Sequence, residues 1–99
     1  MYKLSLHDHK TGETHTQRFE TFERAQMGML AGMCRDLLAY GEDWAQAGEL
    51  LLYLLEDASH GALSGALHDE MFDLVVSPNW CAVYGCGVSM VYIIEEVCE

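Results

Sequence analysis

Carboxylates are the densest group of chemically active side chains in the sequence. The segment 41–57, GEDWAQAGELLLYLLED, contains acids and no lysine or arginine; the acids are Glu42, Asp43, Glu49, Glu56 and Asp57. Opposite charges three or four residues apart normally support an exposed helix. A helix with only one sign of charge therefore indicates a surface whose counter-charges come from another molecule. The alternative is an ordinary solvated helix face.

Helical spacing predicts that some of these acids form a ladder. At 100° per residue, Glu42, Glu49 and Glu56 lie opposite an apolar stripe, whose members are Trp44, Ala47, Leu51, Leu54, Leu55 and Ala58. A repeat of seven residues corresponds to about 10.5 Å along a helix with a rise of 1.5 Å per residue. That distance is close to about three base steps of a nucleic-acid strand.

An aromatic ring accompanies the carboxylates. Tyr53 falls among them on the same helix face, flanked by Asp57. Carboxylates around an aromatic ring suit arginine, which pairs with carboxylates in a bidentate manner and stacks on rings. The acids of HDEMFD, and those of the C-terminal IIEEVCE (Glu95, Glu96, Glu99), are candidates to extend the surface. The predicted partner-binding residues are Glu42, Asp43, Glu49, Tyr53, Glu56, Asp57, Asp69 and Glu70.

The charge of the whole chain narrows the class of partner. The formal charge is −11 over 99 residues, and all five basic residues fall at or before Arg35. From Asp36 to Glu99 the sequence has acids but no lysine or arginine. Such a field repels nucleic acid and anionic membranes and attracts a basic protein surface. We therefore expect a basic protein surface as partner, with no direct contact to nucleic acid or membrane.

Histidines provide a rival site. His7, His9 and His15 lie on either side of a turn, where a three-histidine metal site is geometrically conceivable. Cys81 and Cys86 have no second pair with zinc-ribbon spacing, so we interpret them as small apolar residues. The simpler interpretation is that the histidines decorate an exposed hairpin. We expect no metal and no cofactor, and a metal- or ligand-binding enzyme built on this hairpin remains the alternative.

Catalytic and targeting motifs are missing from the sequence. It has no glycine-rich phosphate loop, no G-x-S-x-G and no H-E-x-x-H, so we expect a protein that is not an enzyme. No apolar run approaches the roughly 18 residues of a membrane helix, and the N-terminus lacks the apolar core of a signal peptide. The expected location is therefore the cytoplasm, with the four cysteines as free thiols.

The elements that must position these residues indicate a single α+β domain spanning 1–99. YKLSLHD alternates in polarity, and THTQRFE returns as a second strand after a glycine-containing turn, which predicts a hairpin. Two helices follow, one capped by Thr21 and one by Asp43 with Gln46 in a capping box. WCAVY and VSMVYIIEEV predict a C-terminal hairpin that shares a sheet with the first. A short third helix is expected over 64–74, with Leu63, Leu67, Met71 and Leu74 inward. The expected order is β-β-α-α-(α)-β-β, with two to three helices on one face of an antiparallel sheet.

Small residues in the first helix allow close approach of another backbone. Gly28 and Gly32 are four residues apart. We favour a tight crossing with the second helix, whose Ala45 and Gly48 are also small, over a homodimer interface. The chain is accordingly expected to be a monomer or a homodimer.

In length, acidity and architecture the whole chain resembles two kinds of small inhibitor. One is the anti-CRISPR proteins of phages and mobile elements, and the other is the immunity proteins that neutralise nuclease toxins. The resemblance is one of profile, since neither family contributes a specific motif. The resemblance implies that the partner is a basic nucleic-acid-binding protein, met by carboxylates in place of DNA phosphates. Such a DNA mimic would block a Cas or Cascade component, or alternatively a nuclease toxin, in a host bacterial cell.

Overall fold

The computed structural model describes residues 1–57 and 63–98. In chain order its elements are β1 (Tyr2–Asp8), β2 (Glu13–Phe19), α1 (Phe22–Leu38), a 3₁₀ turn (Glu42–Trp44), α2 (Ala45–Glu56), β3 (Gly65–His68), β4 (Phe72–Ser77), β5 (Trp80–Gly85) and β6 (Val88–Glu96). The strands form one six-stranded sheet in the order β2-β1-β6-β5-β4-β3, and every neighbouring pair is antiparallel. The predicted α+β class and the sharing of one sheet by both terminal hairpins are confirmed.

Both helices lie on the same face of the sheet. Strand β6 shows why, because Val88, Met90, Tyr92 and Ile94 are buried while the residues between them are half-buried. The buried set faces α1 and α2 and joins their apolar residues in one core. Met29, Leu30, Met33 and Leu37 of α1, with Leu51 of α2, are fully buried there. Neither described helix has the length and apolar character needed to cross a bilayer.

The third helix expected over 64–74 is wrong. This segment forms β3, a turn at residues 69–71 and the first part of β4. Leu67 and Leu74 do pair across the β3–β4 ladder, but Met71 is exposed in the turn. Phe72, Leu74 and Val76 are buried at every second position, which is the period of a strand and not of a helix. The helix was predicted because the turn between the two strands leaves Leu63, Leu67, Met71 and Leu74 at intervals that also fit helical spacing.

The two helix starts differ from each other in capping. The hydroxyl of Thr21 accepts a hydrogen bond from the Arg24 backbone N–H at 3.2 Å, so the predicted cap of α1 is confirmed. The predicted Asp43 cap of α2 is wrong, because Asp43 lies inside the 3₁₀ turn and α2 begins at Ala45 without a side-chain cap. Gly41 precedes that turn with a φ of 93°, a left-handed value that favours glycine.

The small residues of α1 face the sheet and do not face α2, so the predicted crossing is wrong for them. A Cβ atom at Gly28 would lie 2.6 Å from the Phe19 ring, and one at Gly32 would lie 3.0 Å from the Tyr92 hydroxyl. The close approach between the helices involves Gly48 of α2, where a Cβ atom would lie 3.1 Å from Leu38. The glycines of α1 therefore admit aromatic side chains of the sheet.

Candidate partner-binding surface

Helix α2 separates a buried side from an acidic side. Ala47, Gly48, Leu51 and Leu54 are buried. The predicted apolar stripe of α2 is therefore confirmed at its central positions; its expected last member, Ala58, lies outside the described residues. The predicted site residues Glu49, Tyr53, Glu56 and Asp57 are all exposed.

The exposed side of α2 also carries apolar area. The Tyr53 side chain is 63 % exposed and its neighbour Leu52 is 46 % exposed. Aromatic residues that become buried when two proteins bind, surrounded by a polar rim, are typical of the centres of protein interfaces. Leu52 was not among the residues predicted from the sequence. The exposure of Leu52 could have been predicted from the sequence, since at 100° per residue Leu52 lies about 40° from Glu56 and falls outside the apolar stripe.

The carboxylate ladder is shorter than its sequence spacing predicts. Glu49 and Glu56 both lie within the regular part of α2, so their spacing is about 10.5 Å along the helix axis. Glu42 begins the 3₁₀ turn, which has a different rise and a different number of residues per turn. Its predicted register with the other two is therefore wrong.

Trp44 connects the 3₁₀ turn to β4, the strand that follows the β3–β4 turn. Its indole ring is buried and packs on Phe72 with ring centroids 4.8 Å apart. Phe72 follows directly on the turn that contains Asp69 and Glu70. Glu42 and Asp43, the two residues before Trp44, are exposed. Four of the predicted acids thus belong to the two turns next to this aromatic pair, and all four are exposed.

Gly85 makes this packing possible. A Cβ atom at Gly85 would overlap the Met71 carbonyl oxygen and would lie 2.7 Å from the Trp44 ring. The turn itself is held by Asp69, whose carboxylate accepts the Met71 backbone N–H at 3.0 Å and whose own N–H donates to the Phe72 carbonyl at 2.9 Å. The backbone positions of these acids are therefore fixed by hydrogen bonds and packing.

The C-terminal acids Glu95 and Glu96 do not extend this surface. Glu95 lies opposite Lys3 in the β1–β6 ladder, so a counter-charge is supplied within the chain. Glu96 lies opposite Tyr2 in the same ladder, away from α2, which contacts β3. Glu99 lies outside the described residues. We use the name acidic surface for Glu42, Asp43, Glu49, Leu52, Tyr53, Glu56, Asp57, Asp69 and Glu70.

The three histidines of the rival site are separated by the β1–β2 register. His7 pairs with Thr14 and Leu6 pairs with His15, which places His7 and His15 on opposite faces of the sheet. His9 lies beyond the end of β1, in the turn. The His15 ring instead lies 3.3 Å from the Glu13 carboxylate, and His7 lies 3.3 Å from the Thr14 hydroxyl. Within residues 1–57 and 63–98, no three His, Cys, Asp or Glu side chains are grouped to hold a metal ion.

A groove between α1 and the β1–β2 hairpin escaped sequence reasoning. It has a volume of about 560 Å³, with Leu4 and Leu6 on one side and the small residues Gly28 and Gly32 on the other. Tyr92 lines it and donates a hydrogen bond from its hydroxyl to Asp36 at 2.5 Å. The groove is formed by residues that are distant in the sequence, so no local motif predicts it.

The two buried thiols are poor nucleophiles. Burial raises the pKa of Cys34 and, more strongly, that of Cys81, so both stay protonated at neutral pH. The Cys34 thiol donates weakly to the Gly48 carbonyl at 3.6 Å and so belongs to the contact between the helices. All four cysteines are free, as expected.

The fold and the surface together define an α+β domain with an exposed helix face that is acidic and carries an aromatic ring. Comparison of the chain with models of protein families, with curated proteins and with solved structures gave no match.

Proposed function

We propose that this chain is a non-enzymatic inhibitor that places its acidic surface in a basic, nucleic-acid-binding groove of a target protein. The observation that carries the proposal is the exposed side of α2, where Leu52 and Tyr53 lie between Glu49 and Glu56. A solvent-exposed helix normally mixes both signs of charge, whereas the sequence from Asp36 onward has no lysine or arginine to offer.

Each part of the surface has a role in this proposal. Carboxylates at the spacing of Glu49 and Glu56 pair with arginines that otherwise hold backbone phosphates. Tyr53 stacks on a guanidinium group, and Leu52 supplies apolar contact that excludes water from the ion pairs. The four acids around Trp44 extend the negative field past the N-terminus of α2. Association with the target is therefore steered electrostatically and weakens steeply with salt.

The profile favours two target classes. An anti-CRISPR role predicts that the target is a Cas protein or a subunit of Cascade, whose DNA binding is blocked. An immunity role predicts a nuclease toxin as the target. Purified chain is added to a Cascade–DNA binding assay and to a toxin nuclease assay, and inhibition in one of the two identifies the class.

The assignment of the acidic surface is tested by charge reversal. The double variant Glu49→Lys/Glu56→Lys is expected to lose inhibition and to weaken binding by at least about 100-fold, because like charges then meet across the interface. The matched control is Glu20→Lys/Glu96→Lys, which changes the net charge equally at two exposed positions away from α2. Affinity capture from a host lysate at low and moderate salt, with wild type and both variants, extends the same comparison to a target of any identity. Equal loss in both double variants would refute a specific role for α2.

A further inference from the structure

The face of the sheet turned away from α1 and α2, here called the open face, is apolar over half of its width. In β1 polar residues alternate with apolar ones, and Lys3, Ser5 and His7 lie on the open face, where Ser5 is itself buried. In β4, β5 and β6 polar and apolar residues do not alternate in this way, and apolar residues point to both faces. By the strand register, the apolar residues of the open face are Ala66, Val75, Trp80, Ala82, Tyr84, Val91 and Ile93. Strands that are apolar on both faces are typical of sheets covered on both sides.

These side chains form a continuous layer. Trp80 pairs with Ile93, Ala82 pairs with Val91, and Val75 pairs with Ala82 across adjacent ladders. Ala82 is only 6 % exposed although no helix of the described residues packs on this face, so its neighbours close over it. Tyr84, at the rim of the layer, is 47 % exposed. Contiguous apolar surface of this kind marks an interaction site.

The charge of the open face indicates which partner it fits. Its charged residues are Lys3, Arg18, Asp73 and Glu95, which sum to zero in a chain of formal charge −11. Within the face, Glu95 lies opposite Lys3, and Asp73 lies 2.8 Å from the His68 ring. A basic partner gains nothing here, whereas two copies that meet through this face keep their acidic helices on the outer sides. A two-fold interface uses the same patch twice, so a neutral patch meets a neutral patch.

The size of the open face suffices for a dimer. Strands about 4.8 Å apart, with open-face residues about every 6.8 Å along each strand, give roughly 590 Å² per copy for the 18 open-face residues of the six strands. Two copies then bury about 1,180 Å², above the roughly 1,000 Å² that a specific interface needs. The molecule is thin, with extents of 41 × 31 × 17 Å, as expected for one layer of helices on one sheet. We propose that the open face binds a second copy of this chain, so that two sheets stack between two outer layers of helices.

The experiment is sedimentation velocity of the wild-type chain from about 1 to about 500 µM, at low and moderate salt. We expect a concentration-dependent dimer. Val91→Glu is expected to raise the dissociation constant of the dimer by about 100-fold or more, because it buries an unpaired charge in the interface. Val91→Thr, which keeps the β-branched shape, is the second variant if the glutamate disturbs the fold as judged by circular dichroism. Leu52→Glu is the matched control, the same kind of change at an exposed position on α2, and should leave the dimer intact.

The two tryptophans locate the interface independently. Trp44 is 4 % exposed in the core, whereas Trp80 lies on the open face. Dimer formation through this face should protect Trp80 from acrylamide quenching, and dilution should restore quenching. A chain that stays monomeric to about 500 µM overturns the proposal. So does a dimer that resists Val91→Glu and Val91→Thr, or one that is broken by Leu52→Glu.

Salt distinguishes this proposal from the inhibitor function. Two copies with like net charge repel each other, so added salt should strengthen the dimer by screening. Binding of a basic target through the acidic surface should weaken under the same change. Val91→Glu should abolish the dimer and leave target binding by a monomer in place, so either proposal can fail without the other.

Discussion

At the scale of single residues, the hydrogen bond from Tyr92 to Asp36 is the contact that ties the sheet to α1 most directly. Desolvation, then the hydrogen bond to Asp36, raises the pKa of the Tyr92 hydroxyl well above its ordinary value. Tyr92→Phe removes the donor and is expected to lower the free energy of unfolding by about 1–2 kcal/mol at pH 7. Urea unfolding measures the change, and Tyr53→Phe on the exposed side of α2 is the control that should leave stability unchanged.

The raised pKa of Tyr92 also predicts how the free energy of unfolding changes with pH. Because the folded state holds the Tyr92 proton more tightly, the unfolded chain releases it first as the pH rises past about 10. Stability is therefore intact below that pH and falls above it, with Tyr92 contributing up to about 1.4 kcal/mol per pH unit. Cys34 and Cys81, whose pKa values are also raised, add to the fall above about pH 9 in wild type and variant alike. Tyr92→Phe should therefore show a shallower alkaline slope; equal slopes would contradict the assignment.

At the scale of elements, α2 places two neighbouring leucines in opposite roles. Leu51 is fully buried and Leu52 is 46 % exposed. Leu51→Ala should cost about 2–5 kcal/mol of stability through the cavity it leaves. Leu52→Ala should change stability by less than about 0.5 kcal/mol yet weaken target binding. Thermal unfolding and target affinity, measured on both variants, give the comparison, and a loss of binding confined to Leu51→Ala would contradict a contact role for Leu52.

The elements also show how far sequence reasoning reaches. Both hairpins and α1 were predictable because their periods and caps are local, as Thr21 and the alternation of β6 illustrate. The segment 64–74 was misassigned because two short strands around a tight turn, as at Asp69–Met71, leave apolar residues that satisfy both periods. The start of α2 was misplaced because the packing of Trp44 on Phe72 stabilises a 3₁₀ turn. That contact joins residues far apart in the sequence.

The candidate site was predictable to a similar extent. The helical period correctly predicted that Glu49, Tyr53 and Glu56 are exposed. The packing of Trp44 on Phe72, next to the two acidic turns, follows from the room that Gly85 leaves for Trp44, which no local spacing encodes. The apolar layer of the open face depends on which strands are neighbours, and the sheet order places β6 between β1 and β5. Local patterns thus predict which residues are exposed, whereas the strand order and long-range packing determine which of them are neighbours.

At the scale of the whole molecule, the net negative charge lies on the helix layer and not on the open face. The acidic side chains of α2 lie on the helix layer, and the open face is neutral in sum. A chain of formal charge −11 with most of its acids after residue 35 experiences net self-repulsion in the folded state. Salt shortens the range of that repulsion to about 8–10 Å near physiological ionic strength. The free energy of unfolding should therefore rise as sodium chloride is increased from about 10 to about 200 mM.

The origin of that salt effect can be assigned to α2. Glu49→Gln/Glu56→Gln removes two charges without changing side-chain shape, and it should raise stability at low salt and flatten the salt dependence. The control Glu13→Gln/Glu95→Gln removes two acids that lie close to a possible counter-charge, His15 and Lys3 respectively. It should give less stabilisation at low salt, because the charges it removes are partly compensated within the chain. Urea unfolding of the three proteins across the salt series makes the comparison. An identical salt response in both double variants would mean that the repulsion is spread over the whole surface, and that α2 holds no excess of uncompensated charge for a partner to neutralise.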